Sequence, residues 1–167
     1  MIYEEIFREF EFRNVKYLIV GGIAVNLYGY IRLTMDLDIM VDLSDENLSK
    51  LIEIMDKFDY TPRAPVKSDE ILFDEKRDEW IKEKGAVVFT FINLKKPYEC
   101  IDIFLKNPVD FERAYSHKTV MSVRDIKIKV ASVEDIIKMK RVSGRPRDIE
   151  DIRHLEKIKL IKNRENK

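Results

Sequence analysis

A chain of 167 residues has room for one sizeable core, since a domain of this length buries roughly 70% of the surface its unfolded chain exposes. Apolar residues make up 45% and charged residues 37%, which excludes a disordered or fibrous composition and requires a densely ionic surface. Lys+Arg and Asp+Glu each total 31, so no net charge draws the whole molecule to nucleic acid or anionic lipid, and any such contact must be a local patch. In chain order, Ile2, Ile6, Phe7 and Phe10 recur at helical spacing among Glu4, Glu5, Arg8 and Glu9, which predicts an amphipathic helix within residues 1–14. Tyr17-Leu18-Ile19-Val20 is a short apolar run stopped by Gly21-Gly22, the pattern of a buried strand ending in a turn, and Ile23 to Tyr30 suits a brief helix. Asp36 to Val41 predicts a second strand, and Ser44 followed by Asp45 and Glu46 opens a helix through Phe58. From Thr61 to Lys84 the sequence turns polar and carries Pro62 and Pro65, which predicts an irregular or mobile insertion. Ala86 to Leu94 and Tyr98 to Leu105 predict a hairpin with Asp102 inside its second strand, and Lys118 to Val130 a further pair of short strands. Ser132 with Asp135 three residues on marks a helix start, and Pro146 fits the first turn of a last helix bearing Ile149, Ile152, Leu155 and Ile158. The expectation is one α/β (α+β) domain over 1–167: a mixed β-sheet flanked by helices, with a core at 15–130 and C-terminal helices at 131–160.

Chemistry concentrates at three acids. Asp36 and Asp38 lie two apart, and on an extended strand such residues share a side, about 6.5–7 Å apart at Cα, while Leu37 and Ile39 can anchor the other face. Ile101-Asp102-Ile103 repeats the arrangement on a later strand. An Asp-x-Asp pair alone is more often a solvated face. Three carboxylates in one cleft, however, repel unless a cation neutralises them, and oxygen-only ligation favours Mg²⁺ or Mn²⁺ over zinc. Gly21-Gly22 directly after a strand lets backbone amides approach a phosphate, although a tight turn is the commoner reason for such a pair. A phosphate cradle beside a metal pair suits in-line transfer from a nucleoside triphosphate, with Asp36, Asp38 and Asp102 as metal ligands and Asp102 also as proton acceptor.

Val20-Gly21-Gly22, a spacer, Asp36-Leu37-Asp38-Ile39 and Ile101-Asp102-Ile103 together resemble the nucleotidyltransferase superfamily with the DNA polymerase β-like fold. The longer stretch from Gly21 to Asp38 is similar to its AbiEii/AbiGii-type branch, and Lys140, Arg145, Asp148 and Asp151 match that branch's Lys-x4-Arg-x2-Asp pattern with its trailing acid. The resemblance implies the nucleotidyltransferase fold and transfer of a nucleoside monophosphate to a hydroxyl on a tRNA end, a protein or a small molecule. It implies that Lys140 and Arg145 neutralise the triphosphate and that Asp148 orients them or contacts the nucleotide, the alternative being solvated helix-end charges. Arg32 and Thr34 become phosphate contacts or loop-fixing residues. Because the branch includes toxins of toxin–antitoxin systems, a toxin role and a cognate antitoxin or toxin partner are further expectations. Gly22 departs from the pattern, standing where many active relatives carry Ser. The competing reading is a nucleotide-binding module of weak or no turnover that acts through a protein partner.

Other residues fit structural roles. His117 and His154 lack metal-pair spacing, Cys100 reads as a small buried hydrophobe, and Trp80, Phe89, Phe91, Tyr98 and Phe104 read mainly as core. Lys138, Lys140, Arg141, Arg145 and Arg147 form the one basic cluster suited to RNA or triphosphate. A lone cysteine, an acidic amphipathic N-terminus and the lack of about 18 consecutive apolar residues lead to the expectation of a cytoplasmic protein without a membrane span.

Overall fold

The computed structural model describes residues 2–165, so residues 1, 166 and 167 of the expected domain lie outside the described residues. The opening helix α1 (Glu4–Phe12) buries Ile6, Phe7 and Phe10, and the rings of Phe7 and Phe10 rest against Tyr17 at 5.9 and 4.9 Å between centroids. Tyr17 opens β1 (Tyr17–Ile19), all three residues of which are buried. Next come α2 (Gly21–Leu27), β2 (Leu37–Val41) and α3 (Asp45–Lys57). Helix α3 starts where the sequence predicts because the Ser44 side chain accepts the Asn47 amide while Asp45 and Glu46 complement the positive end of the helix.

The segment 61–84 is neither irregular nor a loose insertion. It holds edge strand β3 (Tyr60–Pro62), a 3-10 turn (Ser68–Leu72) and α4 (Asp74–Lys84). Its polar sequence conceals two anchors: Trp80 packs its ring on Phe89 at 5.4 Å, and buried Arg77 donates to the carbonyls of Ile71 and Leu72. The predicted hairpin forms as β4 (Val88–Asn93) and β5 (Cys100–Phe104), and α5 (Phe111–Ser116) leads to the second hairpin, β6 (Thr119–Val123) with β7 (Ile126–Val130). Ser132 caps α6 (Val133–Ser143) by accepting the Asp135 amide at 3.1 Å, and Gly144 ends it at φ +62. Pro146 begins α7 (Pro146–Glu165), which continues past the expected end at 160.

All strands join one sheet in the order β3-β4-β5-β2-β1-β7-β6. The sheet is mixed, since β2 runs parallel to β5 and β1 to β7 while the remaining pairs are antiparallel. The central strands β1 and β2 are almost wholly apolar, with Leu37, Ile39, Met40 and Val41 fully buried, and that identifies the middle of the core. No helix of the described residues is long and apolar enough to cross a membrane.

Candidate active site

Strand register builds the site. Asp38 on β2 pairs with Asp102 on β5, and Asp102 pairs in turn with Thr90 on β4, so the three side chains stand in one row on one face of the sheet. The Thr90 hydroxyl donates to Asp102 Oδ1 at 2.6 Å. Because β1 is antiparallel to β2, with the Val20 amide bonded to the Asp38 carbonyl at 2.9 Å, the residues that follow β1 arrive beside Asp38. Gly21 and Gly22 are therefore the first residues of α2 rather than a turn before it, and the Gly22 amide hydrogen-bonds the Asp38 carboxylate.

Both glycines are required by close approach. A Cβ on Gly21 would fall 2.0 Å from Asp38 Oδ2, and the residue takes φ +63. A Cβ on Gly22 would fall 2.5 Å from Thr34 Oγ1 and 2.9 Å from an Arg32 guanidinium nitrogen. The Thr34 hydroxyl thus occupies the space that a serine at position 22 would need, which accounts for the glycine there. Gly21→Ala is expected to displace Asp38, to cost roughly 1–2 kcal/mol of stability through the left-handed backbone alone, and to suppress turnover; a thermal melt and turnover both matching wild type would refute this.

Strand β2 starts one residue later than expected, so Asp36 directly precedes it, while the charge of Asp36 still acts on both Asp38 and Asp102. Strand β2 begins at Leu37, and Asp36 is exposed at the end of the segment that links α2 to β2. That segment is held at both ends. Asn26 brackets Arg32 by bonding its carbonyl and its amide at 2.8 and 3.0 Å, and the buried Tyr3 hydroxyl donates to the Met35 carbonyl at 2.7 Å. The same hydroxyl accepts the Cys100 amide at 3.1 Å and lies 2.8 Å from the Cys100 carbonyl, which competes for its proton, so Tyr3, at the N-terminal end of α1, ties the approach to Asp36 to the start of β5.

Burial, then the charges of Asp102 and Asp36, push the Asp38 carboxyl up to about 6, against the opposing pull of the Gly22 amide and Lys140. Asp102 is raised as well, first by burial and then by Asp36, while the Thr90 hydroxyl and Arg63 oppose the rise. Acids that resist ionisation in a row mark a place where positive charge is wanted. Among the described residues no three of His, Cys, Asp and Glu are placed so that together they could hold a metal ion. The donor set nevertheless fits a hard divalent cation, since it consists of carboxylates, and the glycine at position 21 leaves open the space beside Asp38 that any side chain would fill.

Lys140, in the C-terminal part of the chain, brings one positive charge near the acids. Lys140 is buried and donates to Asp148 at 2.8 Å and to Asp151 at 2.6 Å, and its charge is felt at Asp38, so it is no solvated helix-end residue. Arg32 makes a two-pronged pair with Asp151 through Nε and an Nη, at 2.8 and 3.0 Å. Burial alone would raise the Asp148 carboxyl, but bonds from Lys140 and the Arg145 amide hold it below the ordinary range. The Arg145 side chain is exposed, and among the described residues it shows no ion pair. The expected basic cluster does not act as one surface, because Arg141 pairs with Glu156 and Lys138 faces Asp135. His154 stacks on Tyr30 at 3.6 Å, His117 binds the Arg113 carbonyl, and the buried Cys100 Sγ accepts from Arg63.

The residues that sequence reasoning missed, Tyr3, Arg63 and Thr90, reach the acids only through strand register and tertiary packing. A faint signal existed for Thr90 alone, as a polar residue within a hairpin strand whose partner is acidic.

The sequence profile of the family described as nucleotidyltransferase of unknown function (DUF6036) matches residues 2–163, nearly the whole chain. The chain belongs to this family. As a DUF6036 nucleotidyltransferase it shares its fold with proteins of known structure. The lincomycin-bound lincosamide antibiotic adenylyltransferase LnuA is 21% identical, with a TM-score of 0.59 over 92% of this chain and 94% of that one. ANT(2'')-Ia in complex with adenylyl-2''-tobramycin is 15% identical, with a TM-score of 0.59 over 95% and 91%. An antigenic nucleotidyltransferase-like protein from Paracoccidioides brasiliensis is 15% identical, with a TM-score of 0.54 over 92% and 73%. At these identities the likeness is one of fold. The search of curated proteins returned no match. The superfamily expected from the sequence stands, while the AbiEii/AbiGii branch is not the family that matched.

Proposed function

We propose that this DUF6036 nucleotidyltransferase, acting as one catalytic domain, uses Mg²⁺ or Mn²⁺ to move a nucleoside monophosphate from a nucleoside triphosphate to a hydroxyl of a small-molecule acceptor. The observation that carries this reading is the placement of Asp38 and Asp102 in register on adjacent parallel strands, next to the Gly21-Gly22 approach. Asp38 and Asp102, joined by Asp36, would hold the divalent ion, which supplies charge neutralisation at the triphosphate and a more acidic attacking hydroxyl.

The remaining work falls to the chain. Thr90 fixes one oxygen of Asp102 and leaves the other to take the proton of the acceptor hydroxyl. Lys140 and Arg32 pair with Asp148 and Asp151 in a charge-balanced cluster that anchors the approach segment, and Lys140 in it favours the ionised form of Asp38. Thr34 presents a hydroxyl at the glycine pair, and the exposed Arg145 is available to a phosphate. The small-molecule acceptor is favoured by the fold neighbours that carry lincomycin and an adenylylated tobramycin. The exposed position of Asp36, off the strand, favours a second reading in which the chain binds nucleotide without turnover and acts through a partner.

Release of pyrophosphate from each of four nucleoside triphosphates, with Mg²⁺ or Mn²⁺ and with lincomycin, tobramycin or tRNA as acceptor, tests both. Acceptor-dependent release that stops on adding EDTA is expected. Tight nucleotide binding with no release under any combination would instead establish the binding module. Release with tRNA and with no small molecule would restore the toxin role and its antitoxin partner.

A further inference from the structure

The row of side chains at the acids does not end at Thr90. Strand β3 pairs antiparallel with β4 as far as Pro62 opposite Phe91, and Arg63, the next residue, donates its amide to the Thr90 carbonyl at 2.8 Å. Arg63 therefore stands beside Thr90, as Thr90 stands beside Asp102 and Asp102 beside Asp38. Its side chain is on the face of the acids. The guanidinium donates to Cys100 Sγ at 3.0 Å, and Cys100 lies two residues before Asp102 on β5, so strand alternation turns both to the same side. The charge of Arg63 also acts on Asp102, where it favours the carboxylate. Yet the residue is exposed, and among the described residues it makes no ion pair. Sulfur is a weak acceptor, so most of the N–H donors of the guanidinium are left for another partner.

In-line displacement at phosphorus brings the entering oxygen in opposite the leaving pyrophosphate. The Gly21-Gly22 approach lies beyond Asp38 at the β1 end of the row, and Arg63 lies beyond Thr90 at the β3 end. With the triphosphate at the glycines, as in the transfer reading, the acceptor enters from the side of Thr90 and Arg63. We propose that Arg63 is a specificity-determining residue that binds a phosphate or carboxylate of the acceptor, which is therefore a small hydroxy compound bearing an anion. The proposal rests on the nucleotidyl-transfer reading above. A guanidinium meets either group with two parallel hydrogen bonds, whereas an ammonium on the acceptor would face a like charge. Adjacent strands lie about 4.8 Å apart, so the two steps from Asp102 to Arg63 span about 10 Å. The Arg63 side chain reaches back over part of that span to Cys100, which leaves room for a molecule the size of a glycerol phosphate or a hydroxy acid. In the transfer step the acceptor oxygen forms a bond to the α-phosphorus, the bond from that phosphorus to the bridging oxygen of the β-phosphate breaks, and pyrophosphate leaves with the electron pair. The hydroxyl proton passes to Asp102.

Glycerol 3-phosphate, glycerate, glycerol and 3-aminopropane-1,2-diol share neighbouring hydroxyls and differ in carrying a phosphate, a carboxylate, no charge and a cation. With a nucleoside triphosphate and Mg²⁺, kcat/KM for pyrophosphate release is expected to be at least tenfold higher with the better of the two anions than with glycerol, and lowest with the amine. Arg63→Gln should cut the ratio of anionic to neutral acceptor at least tenfold, Arg63→Lys should cut it less, and Arg63→Glu should turn the preference toward the amine. A residue that only tunes Asp102 or braces β4 would slow all four acceptors alike, and an unchanged ratio overturns the proposal. Binding is read separately, without nucleotide. In Mg²⁺, phosphorus NMR of glycerol 3-phosphate and carbon NMR of glycerate should show saturable binding of at least one of them to wild type, at least tenfold weaker on a folded Arg63→Gln variant. Binding that Arg63→Gln leaves unchanged overturns the anion site even where no pyrophosphate is released. Binding that depends on Arg63, with no release from any acceptor, condemns the transfer reading and the acceptor role with it, while the anion site stands.

Discussion

Asp38→Asn is expected to abolish nucleotidyl transfer and, at the same time, to stabilise the metal-free protein. The loss follows from removing a carboxylate proposed to hold the divalent ion, at the β2 end of the row, and a fall on the order of 10³ or more in turnover is expected for a preorganised electrostatic group of this kind. The gain follows from the same burial. The folded protein holds the Asp38 proton with a pKa of about 6 against an ordinary 3.8, so folding favours the protonated acid. An acid raised on folding costs nothing below its unfolded pKa, and stability is lost as pH rises from about 4 through about 6. By neutral pH the cost of carrying the charge reaches roughly 3 kcal/mol, of which the amide side chain would recover a part, since Asn also gives up the charged acceptor of the Gly22 amide. In EDTA at pH 7.5 the variant should melt about 3–6 °C higher than wild type, using 2–4 °C per kcal/mol for a chain of this size. The advantage should disappear at pH 4, where both proteins carry a neutral group. Divalent ion should raise the melting temperature of wild type only. A variant that melts lower than wild type at pH 7.5 in EDTA, or one that still transfers nucleotide, contradicts the assignment of Asp38.

Where local pattern coincides with packing, the sequence already discloses the structure. The stripe of Ile6, Phe7 and Phe10 is buried as its spacing predicts, and Ser44 and Ser132 cap the helices they announce. The alternation around Asp102 places it on β5, and the shared register with Asp38 completes what spacing could only suggest. Helix α4 was illegible for a physical reason. Asp74 to Lys84 shows no apolar stripe, because a single ring at Trp80 and the buried guanidinium of Arg77 do the anchoring that several aliphatics usually share. Asp36 misled because the alternation of acid and aliphatic continues one step beyond the strand that produces it. The helper residues were invisible for a different reason: Tyr3 acts on Met35 and Cys100 across 32 and 97 positions, and no local pattern encodes such a contact.

The second large effect is expected at Asp151, whose side chain is fully buried while it accepts from Arg32 twice and from Lys140 once. Asp151→Ala would leave the guanidinium of Arg32, itself only 17% exposed, without its carboxylate, and would leave Lys140 to Asp148 alone. Breaking a buried pair by removing one partner typically costs about 3–5 kcal/mol, because the surviving charge keeps its desolvation penalty and loses its compensation. A fall in melting temperature on the order of 10 °C is expected. The double variant Arg32→Met/Asp151→Leu removes both charges and keeps apolar volume, so it should recover most of that loss while still binding nucleoside triphosphate poorly. The two readouts separate for a structural reason. Stability depends on whether the charges inside are balanced, whereas nucleotide binding is expected to depend on Arg32 in particular, whose guanidinium ties the segment carrying Thr34 and Asp36 to Asp151 of α7. A single Asp151→Ala variant that melts within about 2 °C of wild type would show that the pair is solvated in solution, since a screened surface pair contributes no more than about 1 kcal/mol. The link of α7 to the active-site segment, 119 positions away in the chain, would then carry no energy.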